Sequence, residues 1–238
     1  MGHSVVVLLL AGGSGSRMAS GVPKQYIRVK GKMIIEHCLD SILKCSEISH
    51  VQVVLDGGRE EAKGFLRYLE EKAGALNITY GYSNAGESRA ESIHNGLIDL
   101  SERYDDDTLV IIHDAARPMV SKELLLRSIG GIDGYDGVMP AIPVKDTLYY
   151  VSDDGDIVLL QRDKIKAGQS PEVFRLGPYI RCYEGLSKAE LMKIRGTSEI
   201  GISNGLKVKI IDGEERNFKI TTREDLARYE NILQGEEE

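Results

Sequence analysis

The sequence predicts an α/β fold, with a mostly parallel sheet and helices on both of its faces. Short β-branched and apolar runs alternate along the chain with segments whose apolar residues recur at helical spacing. Such alternation indicates parallel strands, because they need crossover connections, which are usually helices. The chain has 238 residues, of which 42% are apolar, and this suffices for one buried core. We therefore expect residues 1–238 to form a single domain.

The first half of the chain carries the expected strands and helices. Ser4–Leu10 has no polar residue after Ser4, as is typical of a strand buried on both faces. Further strands are expected at 51–55, 77–82 and 108–112. Helices are expected at 33–43, 60–73, 91–100 and 122–129.

The pattern changes near residue 144. Thr147–Val151 and Ile157–Leu160 are extended runs on either side of Ser152–Asp156, a turn-forming segment. They predict a β-hairpin arm at about 144–163, whose apolar side chains contact either a second copy, in a homodimer, or the arm's own domain. Beyond it we expect a helix near 186–193, a strand at 207–211, an extended segment at 218–221 and a final helix from 222.

Composition limits the function classes. The net charge of −7 argues against a nucleic-acid-binding surface, although a local basic cluster still suits a small phosphorylated substrate. Three cysteines, Cys38, Cys45 and Cys182, cannot all pair and show no metal-binding spacing, which fits a reducing cytoplasm. The apolar run Val5–Leu10 lacks a basic start and is too short to span a membrane.

A glycine-rich segment, Leu10–Met18, follows the first strand, and ligands of such sheets bind beyond the carboxyl ends of strands. Glycines let backbone N–H groups approach an anion, and Arg17 adds a charge suited to phosphate. Lys24 follows in the segment PKQY. No lysine follows Gly15, as a P-loop requires, and Met18 replaces the third glycine of a dinucleotide loop. Phosphate binding of another kind is therefore predicted.

The segments LAGGSGSRM and PKQY closely resemble the start of the cytidylyltransferases that activate polyol phosphates. This family includes the enzymes for 2-C-methyl-D-erythritol 4-phosphate and for ribitol 5-phosphate, and has a glycosyltransferase-A-like nucleotidyltransferase fold. The resemblance implies a transfer of CMP from CTP, with Arg17 and Lys24 stabilising the α-phosphate and the leaving pyrophosphate. The loop residues implied in nucleotide binding are Ala11, Gly12, Gly13, Ser14 and Gly15.

The segment after the third strand suits a nucleobase. Gly86 lets the backbone approach a flat base, and Ser92 lies in the first turn of the next helix, where a hydroxyl can recognise a pyrimidine edge. By itself the segment is better explained as a capped helix start. The resemblance implies that it holds cytosine, through Gly86, Glu87, Arg89 and Ser92.

The segment HDAARP follows the fourth strand. An aspartate at a strand's carboxyl end, Asp114, is well placed to hold Mg²⁺ against a triphosphate, and Arg117 can reach a second phosphate. The resemblance implies these roles and sets Ala115 near the ribose. We interpret His113 as structural, because attack by a phosphate oxygen needs no general base.

Two later segments extend the resemblance. In Pro143–Thr147 it implies that Thr147 helps to bind the polyol phosphate, with Lys145 as a further candidate. It implies that Arg162 is supplied to that phosphate across a dimer. In Asn217–Thr221 it implies a catalytic or phosphate-binding Lys219, and it sets Asn217 close to the metal.

The function predicted first is CTP-dependent cytidylyl transfer to 2-C-methyl-D-erythritol 4-phosphate, an isoprenoid precursor. Ribitol 5-phosphate stays open as the acceptor, since Tyr149, the segment QSPE and Thr197–Glu199 depart from the usual family pattern. A sugar-1-phosphate nucleotidyltransferase or glycosyltransferase is a further alternative. Asp105–Asp107 has the spacing of a glycosyltransferase metal motif, but it precedes a strand instead of following one. A non-catalytic nucleotide sensor is disfavoured, because the expected catalytic residues are all present.

Overall fold

The structure, a computed structural model, describes residues 3–13 and 22–235. In these ranges the strands are β1 (Val5–Leu10), β2 (Arg28–Val29), β3 (Lys32–Met33), β4 (Ile48–Leu55), β5 (Thr79–Asn84), β6 (Leu109–Asp114), β7 (Gly137–Pro143), β8 (Tyr149–Val151), β9 (Ile157–Leu159), β10 (Lys166–Gly168), β11 (Glu172–Arg175) and β12 (Val208–Asp212). The α-helices are α1 (Ile34–Ile42), α2 (Glu60–Leu76), α3 (Arg89–Ser101), α4 (Lys122–Gly130), α5 (Leu176–Arg181), α6 (Lys188–Leu191), α7 (Thr197–Ser203) and α8 (Arg223–Gly235).

A mostly parallel sheet forms the centre of the molecule, which confirms the predicted fold class. Its strands follow the order β10-β7-β11-β6-β1-β4-β5, and β12 also pairs with β7. Strands β5, β4, β1 and β6 are parallel neighbours, whereas β11 runs antiparallel between β6 and β7. Leu10 and Asp114 are register partners at the carboxyl ends of β1 and β6. The sheet therefore brings the glycine-rich segment beside Asp114.

Strand β1 packs against both layers of helices. Val7 and Leu9 belong to one hydrophobic cluster, with side chains of α1, α2 and α4, while Val6 and Leu8 belong to another, with side chains of α3 and α5. All four side chains are fully buried. Each such burial contributes about 1.5–3 kcal/mol, so the strand that carries the glycine-rich segment is firmly anchored.

Several elements differ from the sequence-based expectation. Strands β7 and β11 and helices α5 and α7 were not predicted. Strand β7 contains Pro140 and Pro143, which usually disfavour an inner strand because proline donates no hydrogen bond to the ladder. The expected extended segment 218–221 joins no sheet among the described residues; its Ile220 N–H donates to the Ala116 carbonyl instead, at 2.8 Å.

The predicted hairpin arm is present. Strands β8 and β9 form an antiparallel pair of their own, with Tyr149 opposite Leu159 and Val151 opposite Ile157. The six side chains of the two strands are between 53% and 68% exposed. They do not pack against the arm's own domain, which was one of the two expectations for this surface.

The three cysteines are free and buried, as their number and spacing led us to expect. Across residues 3–13 and 22–235, every helix is too short or too polar to cross a lipid bilayer.

Candidate active site

A cavity of about 480 Å³ opens at the carboxyl ends of β1 and β6. Five segments that are distant in sequence line it, and two of them each contribute a lysine. The lining residues from the predicted site are Ala11, Gly12, Gly13, Lys24, Gly86, Glu87, Arg89, Ser92, Asp114, Ala115 and Lys219. The fold therefore gathers most of the residues that sequence reasoning assigned to a nucleotide.

The glycine-rich segment enters the cavity at its beginning. Gln25 holds it there, since its Nε2 donates to the carbonyls of Ala11 and Gly13 at 2.6 and 2.9 Å. A Cβ on Gly12 would lie 2.5 Å from the Cβ of Ala85, so only glycine fits at this position. The role of Gln25 was not predicted, although it stands next to Lys24 in the PKQY segment. Three predicted residues lie outside the described residues: Ser14, Gly15 and Arg17.

The second wall is the start of α3. Ser88 caps this helix and accepts from the Glu91 N–H, as expected of an ordinary helix start. Ser92 donates to the Ser88 carbonyl at 2.9 Å and accepts from the Gly86 N–H at 3.0 Å. These bonds fix Gly86 at the cavity edge. The segment is a capped helix start that also lines the cavity, and its binding of cytosine stays a prediction.

Asp114 is the electrostatic centre of the cavity. Lys219 Nζ lies 2.9 Å from its Oδ2, and Arg89 Nη2 lies 3.3 Å from its Oδ1. Burial acts to raise the pKa of Asp114, but the charges of Arg89 and Lys219 outweigh it and hold this pKa well below its usual range. The carboxylate is therefore ionised at neutral pH and is surrounded by cations.

Arg117 and His113 lie behind Asp114. Arg117 Nη1 donates to the Asn217 carbonyl at 2.6 Å, and its Nε lies 3.9 Å from Asp114 Oδ2. His113 is fully buried, with Nε2 3.1 Å from the Arg117 carbonyl, and burial lowers its pKa to about 4. A neutral, enclosed imidazole supports the structural interpretation of His113.

Ser170 connects Asp114 to Asn217 and was not predicted as a site residue. Its Oγ accepts from the Asp114 N–H at 3.2 Å, and its carbonyl accepts from Asn217 Nδ2 at 2.6 Å. Asn217 is fully buried, and its Oδ1 has no hydrogen-bond partner among residues 3–13 and 22–235. The departure of QSPE from the family's pattern was the sequence signal for Ser170.

These oxygens suit a magnesium ion that also binds phosphates. Mg²⁺ usually takes one or two carboxylates and completes its shell with phosphate oxygens and water. Asp114 offers a carboxylate in the cavity, and Asn217 Oδ1 is a buried neutral oxygen to which no described residue hydrogen-bonds. Within the described ranges no cluster of three or more His, Cys, Asp and Glu residues forms a metal cage. The donor set fits an ion held jointly with a substrate.

The residues predicted to hold the acceptor phosphate lie elsewhere. Arg162, at the base of the arm, donates from Nη1 to the Lys145 carbonyl at 2.6 Å, and Lys145 pairs with Glu215 at 2.9 Å. In the part of the chain that the structure describes, Thr147 and Arg162 do not line the cavity. One chain therefore does not bring them to the nucleotide residues.

Asp105–Asp107 is not part of the cavity. Asp106 pairs with Arg181 at 2.8 Å and Asp107 with Arg175 at 3.8 Å, before the start of β6. This position supports the interpretation of the triplet as a solvated loop instead of a metal motif.

Comparison with known sequences gives a consistent result. The family model of IspD, 2-C-methyl-D-erythritol 4-phosphate cytidylyltransferase, matches residues 5–235. A relative of that name from Rubrobacter xylanophilus is 34% identical over 233 residues, which cover 98% of this chain and 96% of the relative. Another, from Caldicellulosiruptor bescii, is 35% identical over 229 residues, which cover 95% of this chain and 96% of the relative.

Solved structures agree with the sequence relatives. A crystal structure of 4-diphosphocytidyl-2C-methyl-D-erythritol synthase from Anaerococcus prevotii superposes with a TM-score of 0.79 at 28% identity, covering 98% of this chain and 96% of that one. The crystal structure of the Francisella tularensis 2-C-methyl-D-erythritol 4-phosphate cytidylyltransferase superposes with a TM-score of 0.76 at 26% identity. The match covers 95% of this chain and 99% of that one.

Proposed function

This chain belongs to the 2-C-methyl-D-erythritol 4-phosphate cytidylyltransferase family, and we propose how its residues transfer CMP from CTP to that polyol phosphate. The observation that carries the proposal is the convergence of Lys219 and Arg89 on Asp114, in a cavity bordered by the glycine-rich segment. This arrangement gives an acidic protein a local cationic pocket for a triphosphate.

The reaction is an in-line displacement. A phosphate oxygen of the acceptor forms a bond to the α-phosphorus of CTP, and the bond from that phosphorus to the bridging oxygen breaks, which releases pyrophosphate. A phosphate oxygen is already a nucleophile at neutral pH, so the protein supplies position and charge neutralisation instead of a general base. His113, neutral and enclosed, has no step to perform.

Lys24, Lys219 and Arg17 neutralise the charge that develops during transfer. Lys24 and Lys219 line the cavity from opposite parts of the chain. Lys219 stabilises the α-phosphate, while Lys24 and Arg17 stabilise the leaving pyrophosphate. The backbone N–H groups of Gly12 and Gly13, in the cavity lining, contribute further donors, whereas that of Ala11 is bonded to the Val54 carbonyl at 2.8 Å.

A magnesium ion, when bound, supplies Lewis-acid polarisation of the phosphates. Asp114 would hold it, together with Asn217 Oδ1, and Ser170 bonds both residues and so fixes their relative position. The cations around Asp114 keep its carboxylate ionised and ready to accept the ion.

The nucleoside lies against the start of α3. Gly86, Glu87 and Ser92 contact the cytosine, and Arg89 contributes from the same helix. Ala115 approaches the ribose, because a small buried residue at the end of β6 leaves room for the sugar.

The arm completes the site in a homodimer. Its apolar side chains are exposed in one chain, and Thr147 and Arg162 are not among the described residues that line that chain's own cavity. A second copy that covers the arm brings Arg162 and Thr147 to the acceptor phosphate of its partner, with Arg117 near a second phosphate. The free cysteines suit a cytoplasmic location.

Initial rates of pyrophosphate release, measured with 2-C-methyl-D-erythritol 4-phosphate and each of CTP, UTP and ATP, test this proposal. CTP should give the highest kcat/KM, and EDTA should abolish the rate until excess Mg²⁺ restores it. Equal rates with the three nucleotides would contradict the cytosine site, and full activity in EDTA would contradict the metal assignment.

A further inference from the structure

A buried carboxyl group lies next to the cavity without lining it. Glu172 is the first residue of β11, and only 7% of it is exposed. Burying a carboxyl group is costly unless it is paired or hydrogen-bonded. Its partners therefore indicate what it does.

The partners of Glu172 lead directly to the cavity. The Ser198 hydroxyl, in the first turn of α7, donates to its carboxylate. The neighbouring Thr197 accepts from Arg89 Nη1 through its Oγ1, at 2.5 Å. The first two residues of α7 therefore connect Glu172 to Arg89.

Arg89 is thus held at both sides of its guanidinium group. Nη1 bonds Thr197, while Nε and Nη2 lie 3.4 and 3.3 Å from Asp114 Oδ1. The Thr197 backbone is fixed in turn, because the Tyr179 hydroxyl donates to its carbonyl at 2.9 Å. A long arginine side chain loses considerable rotamer freedom in such a geometry, so the partners decide where its charge lies.

The charges around Glu172 fit this arrangement. Arg89 and Asp114 both act on its carboxyl group, and Arg117 is within range of the same field. Burial raises the pKa of Glu172, which the hydroxyls of Ser198 and Thr197 and the charge of Arg89 oppose. Glu172 therefore lies in the electrostatic field of the charged groups of the cavity.

We propose that Glu172 is a positioning residue for Arg89: it anchors Ser198, and with it the first turn of α7, whose Thr197 fixes the guanidinium group in the wall of the nucleotide cavity. The inference rests on the proposed function, in which Arg89 contributes to the binding of CTP. It adds two residues, Glu172 and Thr197, to the groups that set the affinity for the nucleotide.

Two variants break the connection at different points. Thr197→Val keeps the shape and removes the hydroxyl, and Glu172→Met keeps the length and removes the acceptor. Ser203→Ala is the matched control, because Ser203 is an exposed serine of the same helix. Each variant is first checked for folding by circular dichroism and thermal unfolding; Thr197→Val carries the test if Glu172→Met does not fold.

Thr197→Val and Glu172→Met should each raise the KM for CTP about fivefold or more with kcat within about twofold, as expected for the loss of a charge-assisted hydrogen bond. Ser203→Ala should leave that KM within about twofold. In an Arg89→Met background, Thr197→Val should change KM by less than about twofold, because residues that act through one group are not additive.

A full effect of Thr197→Val in the Arg89→Met background would overturn the inference, as would a KM in Thr197→Val equal to that of the wild type. The proposed function is tested separately by wild-type turnover. If the wild type uses CTP and both variants match it, the inference is wrong and the proposed function stands.

Discussion

Lys219 Nζ lies 2.9 Å from Asp114 Oδ2, although the two residues are 105 positions apart in sequence. The contact is reinforced by the backbone, since the Ile220 N–H donates to the Ala116 carbonyl at 2.8 Å. The segment before α8 is thereby attached to the end of β6. The lysine of this segment and the aspartate at the end of the strand thus form an ion pair in the cavity.

Replacing Lys219 should impair catalysis more than folding. Lys219→Ala removes a cation from a phosphoryl-transfer site, so we expect kcat to fall about 100-fold or more. Lys209→Ala is the control, because Lys209 Nζ lies 5.3 Å from the ring centroid of Tyr135, on a different part of the surface. Steady-state pyrophosphate release measures both variants. A kcat near the wild-type value in Lys219→Ala would remove this lysine from the mechanism.

Replacing Lys24 should lower kcat about as much as replacing Lys219. Lys24→Ala leaves the short 3-10 helix Lys24–Tyr26 and the buried Gln25 in place while removing a charge from the cavity lining. We expect kcat to fall by about two orders of magnitude, with an unchanged thermal unfolding midpoint. Lys63→Ala, which breaks only an exposed pair with Glu60, should keep full activity. The assignment fails if the two variants have the same rate.

His113 should make the fold sensitive to acid. Its pKa is about 4 when folded, against an ordinary value of 6.5, so the unfolded chain binds more protons between these values. Its contribution to stability is therefore fully present above pH 6.5 and is lost as the pH falls to about 4. The pKa difference corresponds to roughly 3 kcal/mol. Urea unfolding at several pH values should show a smaller loss in His113→Gln; an equal loss in that variant would contradict the prediction.

The arm should control the oligomeric state. Tyr149 and Leu159 are cross-strand partners with exposed side chains, so replacing both with lysine places charge in the proposed subunit contact. Analytical ultracentrifugation should show a dimer for the wild type and a monomer for the double variant. Ile202→Lys, at another exposed apolar residue, should remain dimeric. A wild type that sediments as a monomer would contradict the arm's role.

The sequence predicted the parts of the fold with strong local patterns. The apolar runs in β1, β4 and β6 and the helical spacing in α1 to α4 were sufficient for the sheet centre and its helices. Strand β7 was missed because its two prolines are typical of the end of a strand, and β11 was missed because it has only four residues. Both are stabilised by pairing with strands that are distant in sequence, which local patterns do not contain.

In the candidate site too, local patterns predicted some residues, while the roles of others depend on long-range contacts. Asp114 was predicted because it ends a strand, and Gly12 because glycine follows the first strand. Glu172 and Thr197 stood out only as departures from the family's pattern, without a role. Their importance arises from contacts such as Arg89 with Thr197, 108 positions apart, which only the folded chain brings together.

The acceptor specificity is the most direct test of the whole account. Pyrophosphate release should be measured with CTP, Mg²⁺ and either 2-C-methyl-D-erythritol 4-phosphate or ribitol 5-phosphate, and the product should be identified by mass spectrometry. The account predicts turnover with the methylerythritol phosphate, formation of its CDP derivative, and at least about 100-fold lower kcat/KM with ribitol 5-phosphate. Turnover with ribitol 5-phosphate alone, or with neither acceptor, would contradict it.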